Sequence, residues 1–415
     1  MSLPIVLLDQ HEQWDCHQCG YCCRGSVIPL SVDDYKRLRS QEWEKQPEFR
    51  QTKMLASFPG AESSYRIAHR ADGACVFLSD EGLCRIHSKF GIEAKPTVCR
   101  TFPLQLVAHE HQAILTLRRA CPSAAADLGS QLPRHLSFVK QMVREQRLST
   151  DAIAPPIFKS GERRDWKTMR AVLESVGSLL RDERYPPVRR LVHALQFASL
   201  LEAAKTRGLR DEQIVELACT LAELAPEESK PFFTERQEPK AYSKILFRLA
   251  AITCARLHPE CQHRATWSAR WQLAQAAWSA VRGKGETPTI DKCFPTAKLE
   301  ELDRPFGAMR PEIYQPLTRY FETAADSFLY AIADRKSWSV IESIRGLAVL
   351  FPIGLWLHKW LSHGREPIVQ NMLHVIVALD RSQGYAALNG PQHRWRLATM
   401  SANGELERLV VWYAR

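Results

Sequence analysis

No run of eighteen apolar residues occurs in this chain, so no segment presents itself as a membrane span. The nearest candidate, Leu347 to Leu357, contains Pro352 and lies between Arg345 and His358, which predicts a buried helix. The opening MSLPIVLLDQHEQWDC has no positively charged segment before its apolar run and no small-residue cleavage site after it. A secretory signal is therefore not expected, and a cytoplasmic location is. Like charges never occur in a block of five, so the formal net charge of +10 is spread over the surface. Arg163-Arg164 and Arg189-Arg190 are not interleaved with aromatic side chains in a recognisable module, so nucleic acid is not the expected partner.

The familiar cofactor signatures are missing as well. Gly283-Lys284-Gly285 is a lone GxG that follows a helical pattern and lacks a third glycine, so it is not a dinucleotide fingerprint. There is no P-loop and no CxxxCxxC spacing of radical enzymes. His109-Glu110-His111 lacks the HExxH spacing of a helical zinc site and reads as a polar loop. No internal repeat of fixed period is present, which excludes a solenoid. Composition does not suggest disorder: 45% of the 415 residues are hydrophobic and 25% charged, enough to bury two or three cores.

What the chain does have is cysteine in one place. Eight of its 12 cysteines precede residue 122: Cys16, Cys19, Cys22, Cys23, Cys75, Cys84, Cys99 and Cys121. In a reducing compartment such clustering points to metal or redox chemistry more than to disulfides. Cys16-His-Gln-Cys19-Gly20-Tyr-Cys22-Cys23 is a CxxCxxCC run. Two-residue gaps let thiolates converge on one centre from a tight loop, with Gly20 free to turn at positive φ. A CxxCxxC run holds three corners of a cubane in bacterial ferredoxins, and similar spacing also opens zinc sites. Cys22 and Cys23 are adjacent, so their side chains are expected to point apart. Ser79 to Gly82 is turn chemistry that should bring Cys75 and Cys84 together, and Pro96 and Pro103 frame Cys99. The thiolate-rich supply favours an iron–sulfur cluster of the 4Fe–4S kind, and His17 and His87 keep zinc as the alternative. Cys219, Cys254, Cys261 and Cys293 read as core residues.

The predicted fold is mainly α, with a Cys-rich, largely irregular, metal-stapled domain over 1–130 and an α-helical domain over 131–415. Glycines 20, 25, 73, 82 and 91 accompany the cysteines. Val27 to Leu30 and Ala113 to Leu117 read as strands, and Ser31, with Asp34 three residues on, as the N-cap of a helix through Arg39. Apolar residues at Leu136, Val139 and Val143, and at Met169, Val172, Leu173, Val176 and Leu180, give helices over 135–146 and 166–180. Further helices are predicted over 188–205, 211–224, 239–257, 266–282, 315–333, 338–360, 366–381 and 404–414. A long loop is predicted over 284–312.

At Cys16 to Arg24, Ala74-Cys-Val-Phe-Leu78, Gly82-Leu-Cys-Arg-Ile86, Cys99-Arg-Thr-Phe-Pro103 and Cys121-Pro-Ser-Ala-Ala125 the sequence resembles the CxxCxxCC family of zinc- or iron-chelating domains, which includes the bacterial flagellin lysine-N-methylases. The resemblance implies a cluster-binding protein that takes methyl groups from S-adenosylmethionine to lysines of a flagellin-like protein. Two departures from the methylases are the tighter first cysteine run and Ser123 in place of an acid. The competing reading is a non-enzymatic metal module (an electron carrier, redox sensor or metal chaperone) with a helical partner-binding region. The residues themselves identify no catalytic base and no S-adenosylmethionine site.

Overall fold

The computed structural model describes residues 3–8, 12–24, 26–145, 153–258, 261, 267–290, 293–305, 307, 310–332, 338–384, 388 and 390–415. Gly25, Gln146 and Thr266, each at or within a predicted feature, lie outside the described residues, as do parts of the predicted loop 284–312. The architecture is mainly α, with few strands, all of them in the N-terminal third among the described residues.

Five short strands organise that third: β1 (Ile5–Leu7), β2 (Leu55–Ser57), β3 (Tyr65–Ile67), β4 (Leu104–His109) and β5 (Gln112–Leu117). In one sheet β5 is central, parallel to β1 with Ile5 opposite Ala113, and antiparallel to β4 with Leu104 opposite Leu117. β2 and β3 form a separate antiparallel pair. The expected strand at Ala113 to Leu117 is β5, one residue longer. The expected strand at Val27 to Leu30 is not formed. The segment makes a single bridge, with Pro29 opposite Arg66 of β3 and flanked by Leu30 N–H on the Tyr65 carbonyl and Ile67 N–H on the Ile28 carbonyl, each at 3.0 Å. His109 corrects the polar-loop reading: it is the last residue of β4, fully buried, with its ring against Trp166 and Phe328 at 5.5 and 5.4 Å. Only Glu110 and His111 form the turn, with Glu110 at φ 49°.

The Ser31 cap is realised as a capping box on the Val32–Ser40 helix. Two small cores stand behind the cysteines. One gathers Leu30, Trp43, Phe49, Ile67, Phe77, Leu78 and Ile86. The other gathers Leu104, Leu115, Leu117, Cys121, Leu132 and Val139.

A third, much larger core runs through the helices from Trp166–Arg181 to Glu405–Tyr413. The apolar segment near Leu347 is buried as two helices, Val340–Ala348 and Leu350–Leu361, where one was predicted. Pro352 cannot donate to the carbonyl of Ala348, which favours a break there. Together Val340–Leu361 has the length and apolarity of a membrane-crossing helix, and it lies almost wholly inside the protein. The predicted 315–333 helix spans Pro311–Asp326 and Leu329–Ile332, with Phe328 at φ 55° between them. Pro391–Ser401 is a helix that the apolar pattern did not reveal. The predicted loop 284–312 holds one short helix, Leu299–Leu302, anchored by its two buried leucines.

Candidate metal centre

Each cysteine of the N-terminal third is placed by a local device. Residues Tyr21–Cys23 form a single 3-10 turn, entered through Gly20 at φ 71° and closed by the Cys23 N–H on the Gly20 carbonyl at 3.0 Å. A Cβ at Gly20 would meet the Gly82 carbonyl oxygen at 3.3 Å, so the CxxCxxCC loop packs directly on the Ser79–Gly82 turn. That turn is closed by Ser79 N–H to Leu83 O at 2.8 Å, and Leu78 bridges to Cys84. The Cys75 N–H donates to the Cys23 carbonyl at 2.7 Å, which joins the first motif to the second through the backbone. Cys84 precedes the Arg85–Phe90 helix, Cys99 sits in the Thr97–Thr101 helix, and Cys121 precedes Pro122–Ala125.

Asp34 has a second role beyond its cap. Its buried carboxylate accepts from the Thr97 N–H and hydroxyl at 3.1 and 3.0 Å and pairs with Arg37. The helix predicted from the Ser31–Asp34 pattern is therefore also the anchor of the segment that carries Cys99.

The thiols are electrostatic neighbours in two overlapping sets, with no three of their sulfurs within 4.8 Å of one another among the described residues. Cys99 interacts electrostatically with Cys75, Cys22 and Cys84, and Cys75 in turn with Cys84 and Cys22. Cys121 interacts with Cys22 and Cys19, and Cys19 with Cys22 and Cys16. Cys22 is common to both sets. The expectation that Cys22 and Cys23 point apart is corrected: the 3-10 turn holds their sulfurs 3.9 Å from each other. Ligands around one tetrahedral zinc stand about 3.8 Å apart when Zn–S is about 2.3 Å, so the pair is close enough to share a metal.

The electrostatics suit a metal. Burial pushes the Cys75 thiol up to about 12 and the Cys121 thiol up to about 11. The Cys23 sulfur, then burial, raises Cys22 well above the ordinary range, and burial with Cys75 does the same to Cys99. Without a cation these thiols keep their protons, and a metal must displace them to bind. Two cations that the sequence reading missed stand nearby. Burial works against the charge of Lys95, yet Cys84, Cys99, Cys22 and Cys23 hold its pKa above the ordinary lysine value. Arg381, from the Val369–Gly384 helix, faces Cys22 and donates to the Tyr21 carbonyl at 2.8 Å. Neither has a spacing signal; only the fold brings them in. His17 is held by the Asp15 carbonyl and the Ser123 hydroxyl at 2.9 and 3.1 Å, so Ser123 connects the first cysteine run to the Cys121 segment. Cys16 and Cys19 face solvent, Cys75 and Cys121 are buried, and the other four are partly covered.

Of the remaining cysteines, Cys254 is buried as expected, whereas Cys219 is exposed. Cys261 is a core residue and Cys293 packs against the same core, as expected, and their sulfurs approach to 3.6 Å.

The helical domain closes over the thiols. Arg118 and Ala120 bind Asp380, Arg319 pairs with Asp127, and the Tyr21 ring meets His374 edge-on at 6.1 Å. Between β5 and the helices lies a small cavity of about 40 Å³, lined among others by Arg118, Arg119, Tyr320, Tyr330, Asp380 and Gln383.

Residues 15–122 match the model of a family described as "CxxCxxCC: Putative zinc- or iron-chelating domain". A stretch of 111 residues is 30% identical to an uncharacterised protein of Methanocaldococcus jannaschii. The alignment covers 26% of this chain and 36% of that protein, so the chain spans about a third of the length of the curated relative it matches. No solved structure matches. The N-terminal third thus carries a metal-binding domain of the zinc- or iron-chelating kind.

Proposed function

We propose that this protein is a cytoplasmic iron–sulfur protein that uses S-adenosylmethionine to methylate lysines of a protein substrate, flagellin-like in kind. The observation that carries this reading is the gathering of N-terminal thiols from separate segments, electrostatically coupled through Cys22, against the helix that carries Asp380 and Arg381. Cys16, Cys19, Cys22, Cys23, Cys75, Cys84, Cys99 and Cys121 are the candidate ligands. A set made of thiols suits iron–sulfur ligation, and the same thiols would accept zinc.

S-adenosylmethionine supplies a methyl group on a sulfonium. A lysine amine, with an ordinary pKa near ~10.4, must shed its proton before it attacks that methyl. A buried setting disfavours the charged amine, and the small cavity lined by Arg118, Tyr320 and Tyr330 offers one at the edge of the metal domain. Tyr330, buried there, is held protonated far above neutral pH, so it can donate a hydrogen bond but not accept the lysine proton. Asp380 is committed to Arg118 and Ala120 and serves to position the two domains.

A carrier or sensor is favoured by one observation, the exposure of Cys16 and Cys19, which leaves one edge of the centre open to a partner. Two measurements on anaerobically purified protein separate the readings. The iron–sulfur reading expects brown protein with a charge-transfer band near ~400 nm and sulfide equal to iron. Colourless protein holding only zinc overturns it. Calorimetry with S-adenosylmethionine on the metal-loaded chain, then mass spectrometry of co-expressed flagellin, tests the transferase. Failure to bind leaves the carrier or sensor, and binding without lysine methylation removes the substrate assignment.

A further inference from the structure

We infer that His258, Cys261 and Cys293 form a second metal site, a zinc site, inside the helical domain and separate from the N-terminal cysteines. Their ligand atoms all lie within 4.8 Å of one another, and the two sulfurs are 3.6 Å apart. That separation is close to the edge of a zinc tetrahedron, about 3.8 Å for Zn–S bonds of about 2.3 Å.

The backbone builds the trio from two directions. The Ala241–Ala255 helix ends in successive turns, with Leu257 N–H on the Cys254 carbonyl and His258 N–H on the Ala255 carbonyl at 2.8 and 3.1 Å. Cys261 N–H then returns to the His258 carbonyl at 3.0 Å, so the two donors of the HxxC spacing share one turn. Cys293 arrives from the far side, in the irregular segment after the Trp267–Arg282 helix. A metal here would tie a helix end to a stretch with little secondary structure of its own, which is a common use of structural zinc.

The surroundings suit the ion. His258 and Cys261 are buried, and the Phe294 ring meets the imidazole edge-on at 5.4 Å with Trp360 tilted against it at 4.5 Å. Two thiolates and one imidazole match the borderline softness of zinc, and three protein donors leave a fourth tetrahedral position. The His374 ring stands 5.1 Å from His258 and is also the ring that meets Tyr21 of the CxxCxxCC turn. The site therefore lies one aromatic layer behind the N-terminal centre, yet shares no ligand with it.

The test uses the full chain and does not depend on the proposed function. Zinc-supplemented wild type is compared with Cys261→Ser, Cys293→Ser and Cys293→His by elemental analysis and zinc K-edge absorption. The expected result is one equivalent of zinc lost in each serine variant, with iron content and helical circular dichroism unchanged. Cys293→His should regain zinc, with one sulfur replaced by nitrogen in the absorption spectrum. Differential alkylation supplies a readout in unmutated protein: Cys261 and Cys293 should become reactive on chelation, not on reduction alone. Equal zinc in wild type and all variants overturns the site. So does release of the two thiols by reductant alone, which identifies a Cys261–Cys293 disulfide. Wild type that binds this zinc but holds no iron defeats the iron–sulfur proposal and leaves this one standing.

Discussion

Asp380 accepts the Arg118 guanidinium at 2.9 Å and the Ala120 N–H at 2.8 Å through one carboxylate oxygen, Oδ2. Arg118 and Ala120 immediately precede Cys121, and Asp380 belongs to the Val369–Gly384 helix. One buried acid thus fixes where the last cysteine of the metal domain sits against the helical domain. The next residue, Arg381, reaches the Tyr21 carbonyl inside the CxxCxxCC turn. The same helix therefore holds both ends of the cysteine constellation.

Removing that acid should be costly. Asp380→Ala leaves the Arg118 guanidinium, only 16% exposed, without its carboxylate. Breaking a buried pair in this way typically costs ~3–5 kcal/mol. Urea denaturation should show a loss of that order, and limited proteolysis should cut near residue 121 before the helical domain. A loss below ~1 kcal/mol would mean that water replaces the carboxylate and the interface is looser than described.

Cysteines should differ in their effect on metal content. Cys22 interacts with both thiol sets, whereas Cys16 is exposed and sits at the edge of one. Cys22→Ala, like Cys19→Ala, should lose metal and leave residues 1–130 protease-sensitive while the helical core survives. Cys16→Ala should keep a larger share of the metal than Cys22→Ala. Equal metal in wild type and Cys22→Ala would remove Cys22 from the ligand set.

Gly20 is a backbone requirement. It stands at φ 71°, and an added Cβ would press on the Gly82 carbonyl at 3.3 Å. Gly20→Ala should destabilise the N-terminal third by about 1–2 kcal/mol, the cost of left-handed backbone for an L-residue. Metal retention under chelator challenge should fall in parallel. Unchanged retention would show that the loop can shift away from the Ser79–Gly82 turn without disturbing the ligands.

Glu12 gives a pH signature distinct from the thiols. It is buried with the Thr116 hydroxyl and Arg119 at 3.4 and 3.1 Å, and burial pushes its carboxyl from 4.5 up to about 7 despite the arginine. Between those values the folded chain holds a proton that the unfolded chain has released. The contribution of this group should therefore be fully present below pH 4.5 and be lost as pH rises to about 7, by up to ~3 kcal/mol. The difference between wild type and Glu12→Gln, measured in urea at pH 5 and pH 8, isolates that contribution because thiol protonation is common to both. A difference that does not change with pH would mean Glu12 is charged throughout.

Local chemistry in the sequence was enough to identify the cysteine-rich third and its match to a metal-chelating family. The capping box at Ser31–Asp34, the turn between Cys75 and Cys84, the β5 strand and most long helices followed from propensity and apolar periodicity, which act over a few residues. Where a neighbour far along the chain decided the outcome, local reading failed. The Val27–Leu30 segment meets β3 at one bridge only, opposite Arg66, and His109 is buried at the end of β4 against Trp166 and Phe328. The surroundings of the thiols were the least legible of all. Lys95, Arg381 and Asp380 carry no motif, and His258, Cys261 and Cys293 are separated by as many as 32 residues between the two sulfurs alone. Sequence fixes which atoms can bind a metal, because that is a property of each side chain. Which of those atoms meet, and how strongly burial and neighbouring charge shift their protons, depends on distances that exist only once the helices have packed.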